Sequence, residues 1–90
     1  MKRLLVEVTQ DDIDHGKAVD CEACPLATAI SRADGRRWLV GCSSARPVMS
    51  DPGDPRCYSE LPDAAVRFVG DFDCYRKVEP FSFEIEVPEA

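Results

Sequence analysis

The chain has 90 residues, of which 17 are acidic and 11 are lysine or arginine, and its formal net charge at pH 7 is −6. This length predicts a single domain, 1–90, that buries only roughly 60 to 65% of its unfolded-chain surface, which leaves little room for a deep active-site cleft. The acidic balance repels phosphate backbones and therefore disfavours nucleic-acid binding through a broad basic face. The N-terminal sequence lacks the apolar stretch of a signal peptide and no apolar run approaches the ~20 residues of a membrane span, so no membrane contact and a cytoplasmic location are expected.

The first segment of the chain alternates as a half-buried strand does. Residues 2 to 9 place apolar and polar side chains on opposite faces, with Leu5 as the exception. Thr9 can then cap a single helical turn, because its hydroxyl can accept a hydrogen bond from the backbone amide of Asp12. Gly16 is expected to end that turn in a left-handed conformation.

The second predicted helix begins at Pro25, because the fixed φ and missing N–H of proline suit the first helical position, with Cys24 just outside it. The dipeptide Asp34-Gly35 supplies the stop. Between these limits, a stripe of apolar residues at helical spacing is expected to face the core. The stripe consists of Leu26, Ala29, Ile30 and Ala33.

A hairpin and a long loop are predicted next. Residues 37 to 40 read as a strand that places Trp38 in the core, and residues 46 to 49 as a weaker returning strand that Pro47 confines to a sheet edge. Residues 50 to 59 contain closely spaced prolines and a glycine, which predict an exposed loop.

The last third of the chain predicts the main core helix and the clearest strand. The helix is expected over 62 to 76, and its apolar stripe consists of Ala65, Phe68, Val69 and Phe72. Residues 81 to 87 alternate strictly and are expected to share a sheet with the first strand. The whole pattern predicts an α+β fold: a small three- to four-stranded, mostly antiparallel sheet covered on one face by two helices.

The cysteines are the residues with the most chemical potential. Two thiolates two residues apart, as in Cys21-x-x-Cys24, can hold one tetrahedral zinc ion. The set that could complete such a site consists of Cys21, Cys24, Cys42 and either Cys57 or His15. No second pair with matching spacing follows, and the cytoplasm keeps thiols reduced. We therefore expect five reduced, metal-free cysteines and no cofactor.

Catalysis by these thiols is disfavoured. The first cysteine of a thioredoxin-like motif is the usual nucleophile, and here Asp20 and Glu22 flank Cys21 with negative charges that oppose a thiolate. A cysteine hydrolase would need His15 as its base, and no sequence motif indicates an oxyanion hole. The expectation is a protein that is not an enzyme.

Short motifs are spread over most of the chain apart from residues 43 to 58. They are Val8-Thr9-x-x-Asp12-Ile13-x-x-Gly16, Cys24-Pro25-Leu26-Ala27-x-Ala29-Ile30, Leu61-Pro62, Phe68-Val69-x-x-Phe72-Asp73 and Val78-x-Pro80-Phe81-x-Phe83. In this combination the chain resembles a group of small proteins encoded by tailed bacteriophages, especially phages of actinobacteria. The resemblance implies a phage accessory protein that binds a host or phage protein in the host cytoplasm. In that group the Cys-Pro element at 24 and 25 recurs more reliably than a cysteine at 21, which implies a packing role for Cys24.

The expected binding surface is the segment from 43 to 58. It joins Arg46 and Arg56 to the exposed-looking Tyr58, between elements whose apolar faces are directed to the core. The alternative is a zinc-stabilised module that contacts nucleic acid. Its basic residues would be Arg36, Arg37, Arg46 and Arg56.

Overall fold

A computed structural model describes residues 2–88 of the chain. In order, the elements of this part are β1 (Lys2–Val8), α1 (Gln10–His15), α2 (Pro25–Asp34), β2 (Trp38–Val40), β3 (Ser44–Pro47), a 3-10 turn (Pro55–Cys57), β4 (Ser59–Glu60), α3 (Asp63–Asp73) and β5 (Phe81–Val87). The predicted α+β class is confirmed. None of the helices in residues 2–88 combines the length and the apolarity needed to cross a membrane.

The strands of residues 2–88 are divided between two antiparallel sheets, where one sheet was expected. β1 pairs with β5 along seven residues of each strand, and β2, β3 and β4 form the second sheet in that order. The expected pairing of the first and last strands is therefore confirmed. Within residues 2–88, β4 has two residues, which pair with β3, and β5 hydrogen-bonds with no strand other than β1.

The β1–β5 ladder has one buried and one exposed face. Val6 lies opposite Phe83 in the register, and both side chains are buried. Leu5, which interrupted the alternation of the sequence, lies on the outward face and is 58% exposed. The alternation thus predicted the buried face of both strands correctly.

The capping of α1 agrees with the sequence. Thr9 Oγ1 accepts from the amide of Asp12 at 3.2 Å, and the Asp12 carboxylate accepts from the amide of Thr9 at 3.0 Å, which completes a capping box. The prediction for Gly16 was wrong, because its φ is −73° and the backbone is extended. Glycine is needed there for space: a Cβ would lie 2.7 Å from the ring of Pro25.

Helix α2 begins and ends where the sequence predicted. Its N-cap is Cys24, whose Sγ accepts from the amide of Ala27 at 3.4 Å, and Gly35 ends it at a φ of 87°. Ala33, predicted to be buried, is exposed, and Ala27 is buried instead. The buried residues all lie in the first two turns of the helix, which contacts both β1 and β2.

The prediction that β3 is an edge strand was wrong, because it lies between β2 and β4. Pro47 is tolerated in this central strand for a local reason. It lies opposite Trp38 and beyond the end of β4, whose ladder reaches only Ser44 and Ala45. The amide of Trp38 donates to the hydroxyl of Ser31 at 3.0 Å and not to Pro47, so Trp38 and Pro47 form a non-hydrogen-bonded pair of the antiparallel ladder, in which no N–H of the proline is required.

Helix α3 carries the bulkiest part of the core. Its predicted stripe is confirmed: Ala65, Phe68 and Val69 are buried, and Phe72 is partly buried. The Phe68 ring lies 5.0 Å from that of Phe81 in β5, which joins the helix to the terminal sheet. The helix ends at Asp73, three residues before the predicted limit of 76.

Candidate functional site

The three predicted binding residues of the 43 to 58 segment all have intramolecular partners. Arg46 Nη1 donates to three backbone carbonyl oxygens of the turn that follows, at 3.2 to 3.5 Å. Arg56 forms an ion pair with Asp54 at 3.0 Å, and its hydrogen bond lowers the pKa of that carboxyl. The Tyr58 hydroxyl donates to the carbonyl oxygen of Pro52 at 2.8 Å. These side chains therefore stabilise the loop that carries them.

Two of those three residues share one hollow. Arg46 and Tyr58 line it together with Cys21 and Leu39, and its volume is about 310 Å³. Arg56 does not line this hollow. The structure therefore brings together only part of the predicted binding set.

The alternative metal set is likewise assembled only in part. Cys21, Cys24 and Cys42 line one hollow of about 150 Å³, whereas Cys57 lies outside it. His15 lies at the end of α1, where its Nδ1 is 3.0 Å from the carbonyl oxygen of Asp11. Within residues 2–88, no group of three or more cysteine, histidine or acidic side chains is placed to hold a metal ion. The absence of a bound metal stays a prediction.

The buried thiol of Cys24 has a structural role. Burial raises its pKa, and its sulfur caps α2. A thiol with a raised pKa is a poor nucleophile at neutral pH. This agrees with the packing role that the resemblance implied for the Cys-Pro element.

The arginines of the nucleic-acid alternative do not form a free basic face. Arg36 donates to Asp34 and to the carbonyl oxygen of Pro88, both at 2.6 Å. Arg37 pairs with Glu22. The other two are Arg46 and Arg56, whose partners are described above. Acids or carbonyl oxygens thus occupy all four guanidinium groups, which leaves little unpaired charge for a phosphate backbone.

Two large apolar side chains are displayed to solvent from unusual backbone positions. Val19 has a φ of 57° and is 77% exposed, and Tyr75 has a φ of 59° and is 85% exposed. Within residues 2–88 these are the two non-glycine residues with positive φ. A left-handed backbone costs an L-residue about 1 to 2 kcal/mol, and it is most unusual for a β-branched side chain.

A tertiary hydrogen bond holds Val19 in this position. Its amide donates to Asp73 Oδ1 at 2.9 Å, so that the loop before α2 is tied to the end of α3. The same loop is closed by a bond from the amide of Lys17 to the carbonyl oxygen of Ala23 at 2.9 Å. The backbone at Val19 is therefore held by the Asp73 carboxylate and by the hydrogen bond that closes its own loop.

Tyr75 occupies the position after α3 where glycine is normally preferred. The amide of Tyr75 donates to the carbonyl oxygen of Phe72 at 3.0 Å. The amide of Arg76 donates to the carbonyl oxygen of Asp71 at 2.8 Å. This pair of bonds is the Schellman motif, whose left-handed residue is usually glycine. The helix end therefore presents an aromatic ring to solvent at a conformational cost.

An apolar hollow of about 380 Å³ lies beside Tyr75, whereas Val19 lines the separate hollow that Cys21, Cys24 and Cys42 share. Lys77 lines the hollow beside Tyr75, as does Arg76, whose guanidinium group forms an ion pair with Asp71 at 3.2 Å. We define the α3-end surface as Val19 together with the apolar residues of this hollow, which are Ile13, Ala18, Phe72, Tyr75 and Val78.

Sequence reasoning missed the α3-end surface. Val19 and Tyr75 lie outside every predicted strand and apart from the predicted helix stripes, so no periodic pattern marked them. The available signal was a large apolar side chain next to a charged residue and outside the apolar stripes, as at Val19-Asp20 and Tyr75-Arg76. Such a residue has no place in the core, and a solvent-exposed position is what remains.

The side chains that define the α3-end surface are apolar, and Lys77 and the paired Arg76 lie at the edge of its hollow. The hollow includes no cysteine or histidine, so it lacks the two residue types considered above for nucleophile and base. Comparisons with protein-family models, with curated proteins and with solved structures find no match to this chain.

Proposed function

We propose that this chain is a non-enzymatic phage accessory protein that binds another protein, of host or phage, in the bacterial cytoplasm. The phage origin and the compartment rest on the motif resemblance, and the free state of all five cysteines is compatible with a reducing compartment. The observation that carries the binding role is the display of Val19 and Tyr75 from left-handed backbone. Backbone strain of this kind is concentrated at functional positions.

The free energy of binding a partner favours contact at the α3-end surface. In the free protein, Val19 and Tyr75 carry a conformational cost without the compensation of burial. A partner that covers them would recover roughly 25 cal/mol for each Å² of apolar area removed from water. Tyrosine is also among the residues that most often dominate interface energies, because it offers a large contact area with few rotatable bonds.

The α3-end surface is a better candidate than the 43 to 58 segment. In that segment, Arg46, Arg56 and Tyr58 already donate hydrogen bonds within the chain, so a partner would have to compete for them. The Val19 and Tyr75 side chains are exposed and apolar, so a partner covers them without breaking an internal hydrogen bond of the side chain.

The test replaces both residues with asparagine. Asparagine tolerates left-handed backbone, so the Val19→Asn, Tyr75→Asn double variant should keep the fold while it loses the apolar contact. We expect capture of the partner from host lysate to fall at least about tenfold, the equivalent of roughly 1.4 kcal/mol. Thermal unfolding of the variant should show a melting temperature that is no lower than that of the original chain.

The matched control is Met49→Asn, which removes another apolar side chain that is 94% exposed but lies outside the α3-end surface. The amount of partner captured by this control variant should equal that captured by the original chain. If the double variant binds normally and joint replacement of Arg46, Arg56 and Tyr58 abolishes capture, then the binding surface is the 43 to 58 segment and the proposal is wrong.

A further inference from the structure

Three positively charged side chains differ from the others in having no partner. The chain has 11 lysine and arginine residues. Within residues 2–88, all but three of them contact an acid or donate to a carbonyl oxygen. The three whose side chains make no ion pair or hydrogen bond in this part of the chain are Lys17, Arg67 and Lys77, and all three are exposed. These cations are therefore free to pair with acids of another molecule.

The three unpaired cations all border the α3-end surface. Lys77 lines the hollow beside Tyr75, and Lys17 lies between two residues that line the same hollow. Arg67 lines a further hollow of about 430 Å³, whose wall also includes Lys77. The two hollows are adjacent, because Lys77 and Val78 line both. The α3-end surface therefore continues along the helix as far as Arg67.

Apolar side chains line this continuation as well. Phe68 and Val78 belong to the wall of the further hollow, and Val78 is partly buried against the core. At the other end of the surface, the Tyr75 ring is exposed. Interfaces combine an apolar centre, which supplies affinity, with charges at the rim, which orient the partner.

The acids of this surface do not neutralise the three cations. Two acids line the hollows, Asp71 and Glu79. Asp71 is paired with Arg76 at 3.2 Å, and Asp73, at the end of the helix, accepts from the backbone amide of Val19 at 2.9 Å. Glu79 makes no ion pair or side-chain hydrogen bond within residues 2–88. Three unpaired cations therefore lie beside one unpaired acid of the two hollows.

We infer that the partner of the α3-end surface presents an acidic segment with an apolar side chain at its centre. This inference rests on the binding function proposed above. The apolar side chain covers Tyr75 and Val78, and the carboxylates beside it pair with Lys77 and with Arg67 or Lys17. Because the chain as a whole is acidic, it repels such a segment elsewhere, and the unpaired cations direct the segment to this surface.

The probe is a capped peptide of sequence Glu-Glu-Leu-Phe-Glu-Glu, titrated into the isotopically labelled chain at low ionic strength and followed by amide chemical shifts. A second peptide, Gln-Gln-Leu-Phe-Gln-Gln, has the same apolar centre without the charges. We expect saturable shifts confined to residues 16–19 and 64–79, and an affinity for the acidic peptide that is at least about fivefold higher. Added salt should reduce this preference, because the charged groups are exposed. No saturable shift at millimolar acidic peptide would overturn the inference.

The Arg67→Gln, Lys77→Gln variant should lower the affinity for the acidic peptide about fivefold, the sum of two exposed ion pairs, and leave the affinity for the neutral peptide unchanged. The melting temperature of this variant should equal that of the original chain, because neither side chain has an internal partner. The matched control is Arg3→Gln, Arg37→Gln, which removes the same charge from exposed positions elsewhere. An equal loss of affinity in this control would overturn the inference, because it would show a response to net charge alone.

Two other occupants are tested in the same way. If octathymidylate causes the same shifts with equal affinity, the cations bind phosphate groups and the assignment to a protein segment is wrong. If the chain alone forms a dimer that the Arg67→Gln, Lys77→Gln variant does not form, the occupant is a second copy of the chain and the inference is again wrong.

Capture from host lysate separates this inference from the proposed function. Normal capture by the Arg67→Gln, Lys77→Gln variant, together with loss of capture by the Val19→Asn, Tyr75→Asn variant, would overturn the acidic segment and leave the binding surface in place. Normal capture by both variants would overturn the proposed function itself.

Discussion

At the scale of single residues, Asp12 joins three parts of the fold. Its side chain is 3% exposed, and Arg32 donates to both carboxylate oxygens at 2.8 Å. The same guanidinium donates to the carbonyl oxygen of Glu7 at 2.8 Å, so α1, α2 and β1 are connected through one pair. The hydrogen bond from Arg32 is the main reason why the pKa of Asp12 lies below its ordinary value of 3.8.

Asp12→Asn should lower the free energy of unfolding at pH 7 by about 1 to 3 kcal/mol, a range reduced for solvent screening because Arg32 is half exposed. Since the folded-state pKa is lowered, the stabilisation is present above pH 3.8 and is lost as the pH falls through the folded pKa. Urea unfolding should therefore show a smaller difference at pH 3 than at pH 7. Asp14→Asn, an exposed change in the same helix, should have little effect at either pH. A difference that does not change with pH would contradict the role of the ion pair.

The cysteines should react in an order set by burial. Cys21, Cys42 and Cys74 are exposed, Cys57 is half-buried, and Cys24 is buried with a raised pKa. Iodoacetamide labelling followed by mass spectrometry should modify the exposed thiols first and Cys24 only when the chain unfolds. Rapid native labelling of Cys24 would contradict its place in the core. Stoichiometric zinc in protein purified without added zinc would contradict the expectation of free thiols.

At the scale of elements, local signals were sufficient for most boundaries. Pro25 and Gly35 limit α2 as predicted, because each acts through its own backbone. The errors concern long-range neighbours. The space around Gly16 is limited by the ring of Pro25. Strand β3 tolerates Pro47 because β4 ends before it. No local pattern carries that information.

Phe68→Ala should cost about 3 to 5 kcal/mol in the free energy of unfolding, a large part of the stability of a small domain. Phe68 is 7% exposed, and its ring packs against Phe81, so truncation leaves a cavity between α3 and β5. Leu5→Ala is the control, because this side chain lies on the outward face of β1 and should cost little. Denaturant unfolding measures both. Similar effects of the two changes would mean that α3 does not cover the sheet as described.

At the scale of the whole molecule, the candidate site could not be predicted because it depends on chain segments that are distant in sequence. Val19 and Asp73 are 54 positions apart, and one hydrogen bond brings them together. The sequence predicted most residues of the core, while the α3-end surface arises from how the loop before α2 meets the end of α3.

The pairing of the terminal strands predicts that the chain tolerates circular permutation. Lys2 lies opposite Val87 in the β1–β5 ladder, so a short Gly-Ser linker can join the original ends. New ends between Pro52 and Gly53 would lie in an exposed loop. This permutant should unfold cooperatively, with a melting temperature within about 10 °C of the original, because a loss of 1 kcal/mol corresponds to roughly 4 to 8 °C.

The permutant should also capture the partner normally, since the α3-end surface is unchanged by it. A second permutant, opened between Gly35 and Arg36, provides the comparison. That cut removes the helix-ending turn in which Gly35 donates to Ser31, and it separates Arg36 from Asp34. The second permutant should therefore be much less stable than the first. If the first permutant fails to fold while the second folds, the loop from 50 to 56 determines the fold, and the ladder of the terminal strands does not by itself hold the ends of the domain together.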